Sequence, residues 1–204
     1  RFPMRKLKRW QIPLFAFASF GPCMLSTIIS VYLVDALQVA GFGADVEFWT
    51  FANKTIIAVG LFSILKAISS IMDGLVEVPV ATIVQNLKTP WGRRRPALLI
   101  GFVPMIIAYV LFLVPLQQHA GFLNTIWFAL LLCIFYGTYT LTMITYYATF
   151  SEIAKNEQEI SLLSNAKSVC DVVYFSLGFA LVPAFVSMGM NIRIVALIFL
   201  PLSL

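Results

Sequence analysis

The sequence predicts an all-α membrane protein, and three observations carry that prediction. Of its 204 residues, 60% are hydrophobic and only 11% are charged, against roughly 25% charged in soluble domains. The mean hydropathy is +0.92. The apolar residues also fall into runs of the length, about 20 residues, that an α-helix needs to cross a bilayer. A chain this apolar would expose oily surface in water however it folded. That excludes a soluble enzyme and a nucleic-acid-binding domain, even though the net charge is +5. The basic residues gather at the ends and loops, which fits membrane orientation rather than a phosphate-binding face.

Six runs follow in order. The first, residues 10–39, is closed by the turn signal Gly41-Phe42-Gly43. The basic stretch Arg1–Arg9 precedes it, but the run is too long and lacks the small-residue cleavage site of a signal peptide. The second, residues 51–87, is long for one crossing and is expected to tilt or to extend beyond the lipid. The third spans residues 97–116, the fourth 122–150 and the fifth 160–188. A sixth starts near Asn191 and reaches Leu204 while still apolar. Ending inside an apolar run fits no helix-bundle logic, so residues 1–204 are expected to be the N-terminal bundle of a longer protein. Cys23, Cys133 and Cys170 all lie within runs and form no CxxC pair, which predicts free buried thiols.

Charge fixes the expected topology. Arg1, Arg5, Lys6, Lys8 and Arg9 precede the first span; Lys88, Arg93, Arg94 and Arg95 lie between the second and third; Lys155 lies between the fourth and fifth. The other side holds Asp45, Glu47, His119, Lys54 and Arg193. The N-terminus is therefore expected in the cytoplasm.

Five ionisable residues stand well inside spans, away from their ends: Lys66, Asp73 and Glu77 on the second, Lys167 and Asp171 on the fifth. Facing lipid would cost about 2.5–3.5 kcal/mol each at a helix centre. Asp73 and Glu77 are four residues apart and share a helix face, with Lys66 on the same stripe about 10 Å along the axis. Paired acids in a water-accessible cavity can bind a small cation through oxygens, or one can keep a proton because its neighbour is charged. A purely structural role for them would need a cationic partner. Gly74 and Pro79 flank the pair and loosen a membrane helix there. Lys167 and Asp171, also four apart, admit blander readings: a snorkelling lysine or a static intrahelical pair.

Catalytic chemistry is absent. The sequence has no HExxH and no phosphate loop, and its single histidine cannot anchor a multi-His metal site. The fourth span instead concentrates Tyr136, Thr138, Tyr139, Thr140, Thr142, Thr145, Tyr146 and Tyr147. Any one such threonine usually bonds its own backbone. A dense Thr/Tyr cluster suits sugar faces or other amphipathic solutes in a wet cavity. Tyr139, Met143 and Tyr147 recur every four residues and form one candidate lining stripe.

The stretch Asp73-Gly-Leu-Val-Glu77, then Lys88-Thr-Pro-Trp91-Gly92-Arg93-Arg94-Arg95-Pro96, resembles the glycoside–pentoside–hexuronide cation symporters. These are the melibiose-permease-like branch of the major facilitator superfamily. Their second helix carries two acids four residues apart, and a Trp-Gly-basic loop follows eighteen residues after the first, as Trp91 follows Asp73. Tyr136-Gly137-Thr138-Tyr139-Thr140 and the polar loop after it also resemble the family's fourth helix and its connection. The resemblance covers about residues 6–188. It implies a major-facilitator-type fold of twelve helices, with this chain as the N-terminal six-helix bundle. It places the coupling cation at Asp73 and Glu77, the sugar-stacking aromatic at Tyr147, and the basic residue near the sugar on or beside Lys167. It makes Trp91, Gly92, Arg93, Arg94 and Arg95 a cytoplasmic gating loop. Three positions depart from the family: its fourth-helix aspartate falls on Met143, its first-helix aspartate near Cys23, and the acid before the basic loop on Gln85.

The expected function is cation-coupled secondary transport, symport of a sugar or glycoside, with no enzymatic activity. No cofactor is expected beyond a coupling proton or sodium ion. The expected partners are the small solute, the lipid bilayer and a C-terminal half of the same protein, with no nucleic acid. The expected location is the plasma (inner) membrane. One alternative is an amphipathic, lipid-like solute, which predicts a cavity open sideways to lipid. Another is a non-transporting scaffold or sensor, which predicts that the five buried charges pair off statically.

Overall fold

A computed structural model of the chain describes residues 11–38, 47–51, 55–86, 94–154 and 156–203. Every regular element among them is helical. The long elements are α1 (Gln11–Gln38), α2 (Val59–Asn86), α3 (Arg94–Phe112), α4 (Phe122–Ile153) and α5 (Glu157–Ser187). A short α6 (Ile192–Ile198) follows and runs into a 3-10 turn at Leu200–Ser203. α1, α4 as far as Phe150, and α5 are each long and apolar enough to cross a membrane; Val59–Ile71 and Pro96–Phe112 are shorter apolar helices. The all-helical architecture is the one the apolar runs predict. The turn signal at residues 41–43 and the residues Lys88 and Lys155 lie outside the described residues.

Local chemistry sets the helix ends. α2 begins at Val59, later than the run predicts. The backbone just before it is tied to α4 instead: Ala58 N–H donates to Thr125 Oγ1 (2.9 Å), and Asn124 Nδ2 donates to Ile56 O (3.2 Å). α3 ends at Phe112, four residues short of the run's end. Pro115 disfavours helical geometry at Val114, and the last turn tightens, with Leu113 N–H on Val110 O and Val114 N–H on Leu111 O. α5 stops at a left-handed glycine, Gly189 (φ +85°). There Met190 N–H reaches Phe185 O and Gly189 N–H reaches Val186 O, satisfying carbonyls that the helix end leaves open.

α1 is interrupted twice. Pro22 has no N–H for the carbonyl of Ala18, and its ring crowds that carbonyl. The helix accordingly breaks between Phe17 and Phe20. Ser19 patches the gap by donating from its hydroxyl to Ala16 O (3.1 Å). About two turns further on, Ile28–Leu33 winds as a π-helix.

α4 is the spine of the bundle. α3 and α2 each pack on it, while α1 packs on α5 and touches α4. α6 closes against α5 and the π-helical stretch of α1. The α3–α4 seam is closest at Gly101, where a Cβ would lie 2.5 Å from Thr142 Oγ1 and 3.2 Å from Thr138 O. Small residues permit such approach between membrane helices. Phe62, Tyr109, Phe112, Phe128 and Phe135 are fully buried in the largest core cluster.

The connections before α2, before α4 and before α6 share one end of the bundle. Asn124, fully buried, accepts from Gln117 N–H (2.9 Å) and donates to the carbonyls of Gln117 (2.7 Å), Ile56 and His119. Asn191 caps α6 by accepting from Arg193 N–H, and donates to Thr50 O (3.2 Å). Arg193 donates to Phe51 O and lies 5.6 Å over the Phe51 ring. These are the connections that the charge pattern groups on one side of the membrane.

Candidate functional site

Three helices converge where the break in α1 meets α4 and α5. Cys23, Met143 and Tyr146 form a buried cluster there, with Phe15, Tyr139, Phe150 and Tyr174 against it. The Cys23 thiol and the Tyr139 hydroxyl are 3.7 Å apart, within hydrogen-bonding reach for sulfur. Phe20 meets Tyr174 edge-on at 6.5 Å. Tyr146 donates to both Phe15 O (3.1 Å) and Ala16 O (2.9 Å), and its ring stacks on Phe15 at 5.2 Å. A side chain from α4 thus holds the carbonyls at the break in α1.

Lys167 enters this cluster from α5 with 7% of its surface exposed. Its ammonium pairs with Asp171 one turn on. The same ammonium lies 5.9 Å from the Tyr147 ring and 6.0 Å from the Tyr174 ring, two aromatic faces that favour a cation. The two anionic and aromatic neighbours on the open side are far less covered: the Asp171 side chain is 42% exposed and Tyr147 47% exposed. The arrangement offers a carboxylate and a phenol ring side by side, backed by a buried cation. That is suited to a solute with hydroxyl groups and a flat or apolar face.

The expected solute residues Tyr139, Met143, Tyr147 and Lys167 therefore come together, and Asp171 joins them. Met143 and Cys23, which stand where the resembled family has aspartates, sit buried in contact as an apolar floor. The expected cation residues lie elsewhere. α2 packs on α4 rather than on α5, so Glu77 does not join Lys167. Glu77 is exposed, and among the described residues it has no ion pair. Asp73 is in α2, but its side chain is not among those described. Lys66 is half-buried, likewise without an ion pair among the described residues. Among those residues no three metal-ligating side chains cluster. Trp91, Gly92 and Arg93 lie outside the described residues. Arg94 and Arg95 correct the loop expectation: they form the first two residues of α3, because Pro96 suits a helix's first turn and starts it early.

Tyr146 and Tyr174 were not singled out by the stripe on α4. Tyr146 was visible only as a member of the Thr/Tyr cluster on α4; for Tyr174 the signal was spacing, seven residues after Lys167 on the same face.

A family profile described as MFS/sugar transport protein matches residues 14–203, nearly the whole chain. The chain belongs to the MFS/sugar transport protein family. It is a secondary transporter of the major facilitator superfamily and an integral membrane protein, as its apolar helices require. No curated protein and no solved structure matches it. In this family setting, the α1–α4–α5 cluster is the candidate solute site and the α2 acids are the candidate coupling site.

Proposed function

We propose that this chain belongs to the melibiose-permease-like branch of the family and takes part in cation-coupled symport of a sugar or glycoside. The observation that carries the reading is the convergence of Tyr139, Met143, Tyr147 and Lys167 from two helices onto one exposed rim, Tyr147 and Asp171. An aromatic ring beside a carboxylate is the chemistry that holds a sugar: the ring takes its C–H face and the carboxylate takes its hydroxyls. The coupling ion acts at Asp73 and Glu77. With Met143 replacing a carboxylate, a proton suits the site better than sodium, which wants several oxygen ligands. The bundle works against a second six-helix half by alternating access, with the N-terminus in the cytoplasm of a plasma-membrane protein. The basic stretch Trp91–Pro96 then acts at the cytoplasmic gate.

Two features separate this reading from its rivals. A scaffold would pair its buried charges, yet Glu77 is exposed without a partner among the described residues. A lipid carrier would want an apolar cavity open sideways to lipid, whereas the open rim here includes a carboxylate. The test is counterflow in vesicles with a panel of labelled glycosides, under an imposed proton or sodium gradient. Tyr147→Ala should raise the half-saturation concentration of the carried glycoside roughly tenfold, the worth of a sugar–ring contact. Failure of every glycoside to exchange, alongside exchange of a lysolipid, would overturn the sugar reading.

A further inference from the structure

Lys167 is the residue that resemblance places near the sugar, yet it is the covered member of its pair. Its side chain is 8% exposed and that of its partner Asp171 is 42% exposed. Asp171 lies at the middle of the 31-residue α5, where an ionised carboxylate open to hydrocarbon is strongly disfavoured. An open face on water or on a polar solute, rather than on lipid, is what such a carboxylate requires. The rest of the neighbourhood has no other described carboxylate: Cys23 and Met143 occupy the family's two aspartate positions and are buried against Tyr139 and Tyr146. Tyr147, the exposed ring, flanks the same lysine.

We propose that Asp171 is the solute-contacting acid of this transporter, accepting hydrogen bonds from solute hydroxyls, and that Lys167 is a positioning residue behind it. The lysine, itself seated over the Tyr147 and Tyr174 rings, fixes the rotamer of the carboxylate without touching the solute. One carboxylate on α5 thus takes the place of two on α1 and α4. The buried Cys23–Met143 floor carries no charge to share with the solute, so recognition rests on Asp171 and Tyr147. This rests on the solute-site reading above and names the charged group within it.

Two measurements on the full chain test the assignment. The first needs no solute. In a chain with Cys23, Cys133 and Cys170 changed to Ala, Asp171→Cys should react with a water-soluble methanethiosulfonate at least tenfold faster than Lys167→Cys. In the unaltered folded chain, Lys167 should also resist acetylation by an impermeant amine reagent until detergent denatures the protein. Equal or reversed cysteine rates, or acetylation of Lys167 in the folded chain, would overturn the covered-lysine geometry.

The second measurement uses p-nitrophenyl glycosides as probes. Asp171→Asn should weaken half-saturation tenfold or more, and Lys167→Arg, which keeps a cation behind the carboxylate, should stay near the wild-type value. The neutral pair Lys167→Met/Asp171→Asn should insert normally and still fail to bind. Recovery of wild-type affinity in that double variant would show a merely structural ion pair and sink the proposal. Equal losses in Lys167→Arg and Asp171→Asn would place the lysine on the solute and also sink it. Rapid labelling at position 171 with no binding of any glycoside would uphold the exposed carboxylate and reject the sugar reading instead.

Discussion

The two edges of α4 differ in how completely they are assembled. On the α1–α5 edge, polar side chains find partners within the chain: Tyr146 on the carbonyls of Phe15 and Ala16, Tyr139 beside Cys23, Lys167 on Asp171. On the α2 edge, beyond Ile71, the helix presents Gly74, Leu75, Glu77 and Val78 without cover, and no atom lies within 4 Å of where a Gly74 Cβ would be. The proposed solute site is thus built from contacts inside this bundle, whereas Glu77, the second acid of the proposed coupling pair, is exposed on it. In a transporter this separation makes sense: a group that must gain and lose an ion needs a surface whose surroundings change, and a group that reads the solute needs fixed geometry.

The largest expected effect breaks the comparison on the α2 side. Glu77→Gln keeps the side chain's size and removes its ability to carry charge. Uphill accumulation should collapse to an inside-to-outside ratio of about one, because the solute gradient is no longer tied to a cation gradient. Solute exchange across the vesicle should persist, since it needs no net cation movement. Concentrative uptake by the mutant would move the coupling role to Asp73, the next residue to change.

A second pair of variants sharpens the contrast through glycine. Gly101→Val should push α3 from α4, because its Cβ would sit 2.5 Å from Thr142 Oγ1, destabilising the protein by about 1–3 kcal/mol. Gly74→Ala has open space and should instead be neutral or stabilise the helix by about 0.5–1 kcal/mol. Thermal unfolding of the two purified variants in one detergent decides it. A matching loss in both would mean that the α2 edge is as tightly packed as the α3 edge.

Much of this was legible in the sequence because hydropathy and charge act residue by residue. The apolar runs located five long helices, and the four-residue stripe on α4 found Tyr139, Met143 and Tyr147. What was not legible depended on contacts between helices far apart in the chain. The start of α2 was missed because Asn124 and Thr125 hold the preceding backbone, and no local pattern encodes that. Lys167 and Asp171 were visible as a pair, but which of the two is covered follows only from the packing of α1 on α5. The role of Tyr146 follows from the carbonyls of Phe15 and Ala16, which lie 131 and 130 residues earlier in the chain.

The smallest expected effect probes that last contact. Tyr146→Phe keeps the ring that stacks on Phe15 and removes only the hydroxyl that serves two carbonyls at the break in α1. Each carbonyl keeps one donor from its own segment, Ala18 N–H on Phe15 O and the Ser19 hydroxyl on Ala16 O. Losing the second donor to such carbonyls costs only the net worth of a hydrogen bond, about 0.5–1.5 kcal/mol. The matching change on the α2 edge is Thr82→Ala, whose hydroxyl bonds Val78 O on an exposed face. That bond supplements a helix already hydrogen-bonded along its length, so its loss should leave stability nearly unchanged. Unfolding temperatures of both variants, taken side by side, read the difference. If Tyr146→Phe proved as silent as Thr82→Ala, the donors at Ala18 and Ser19 would suffice for the two carbonyls, and the hydroxyl would not be what ties α4 to the break in α1.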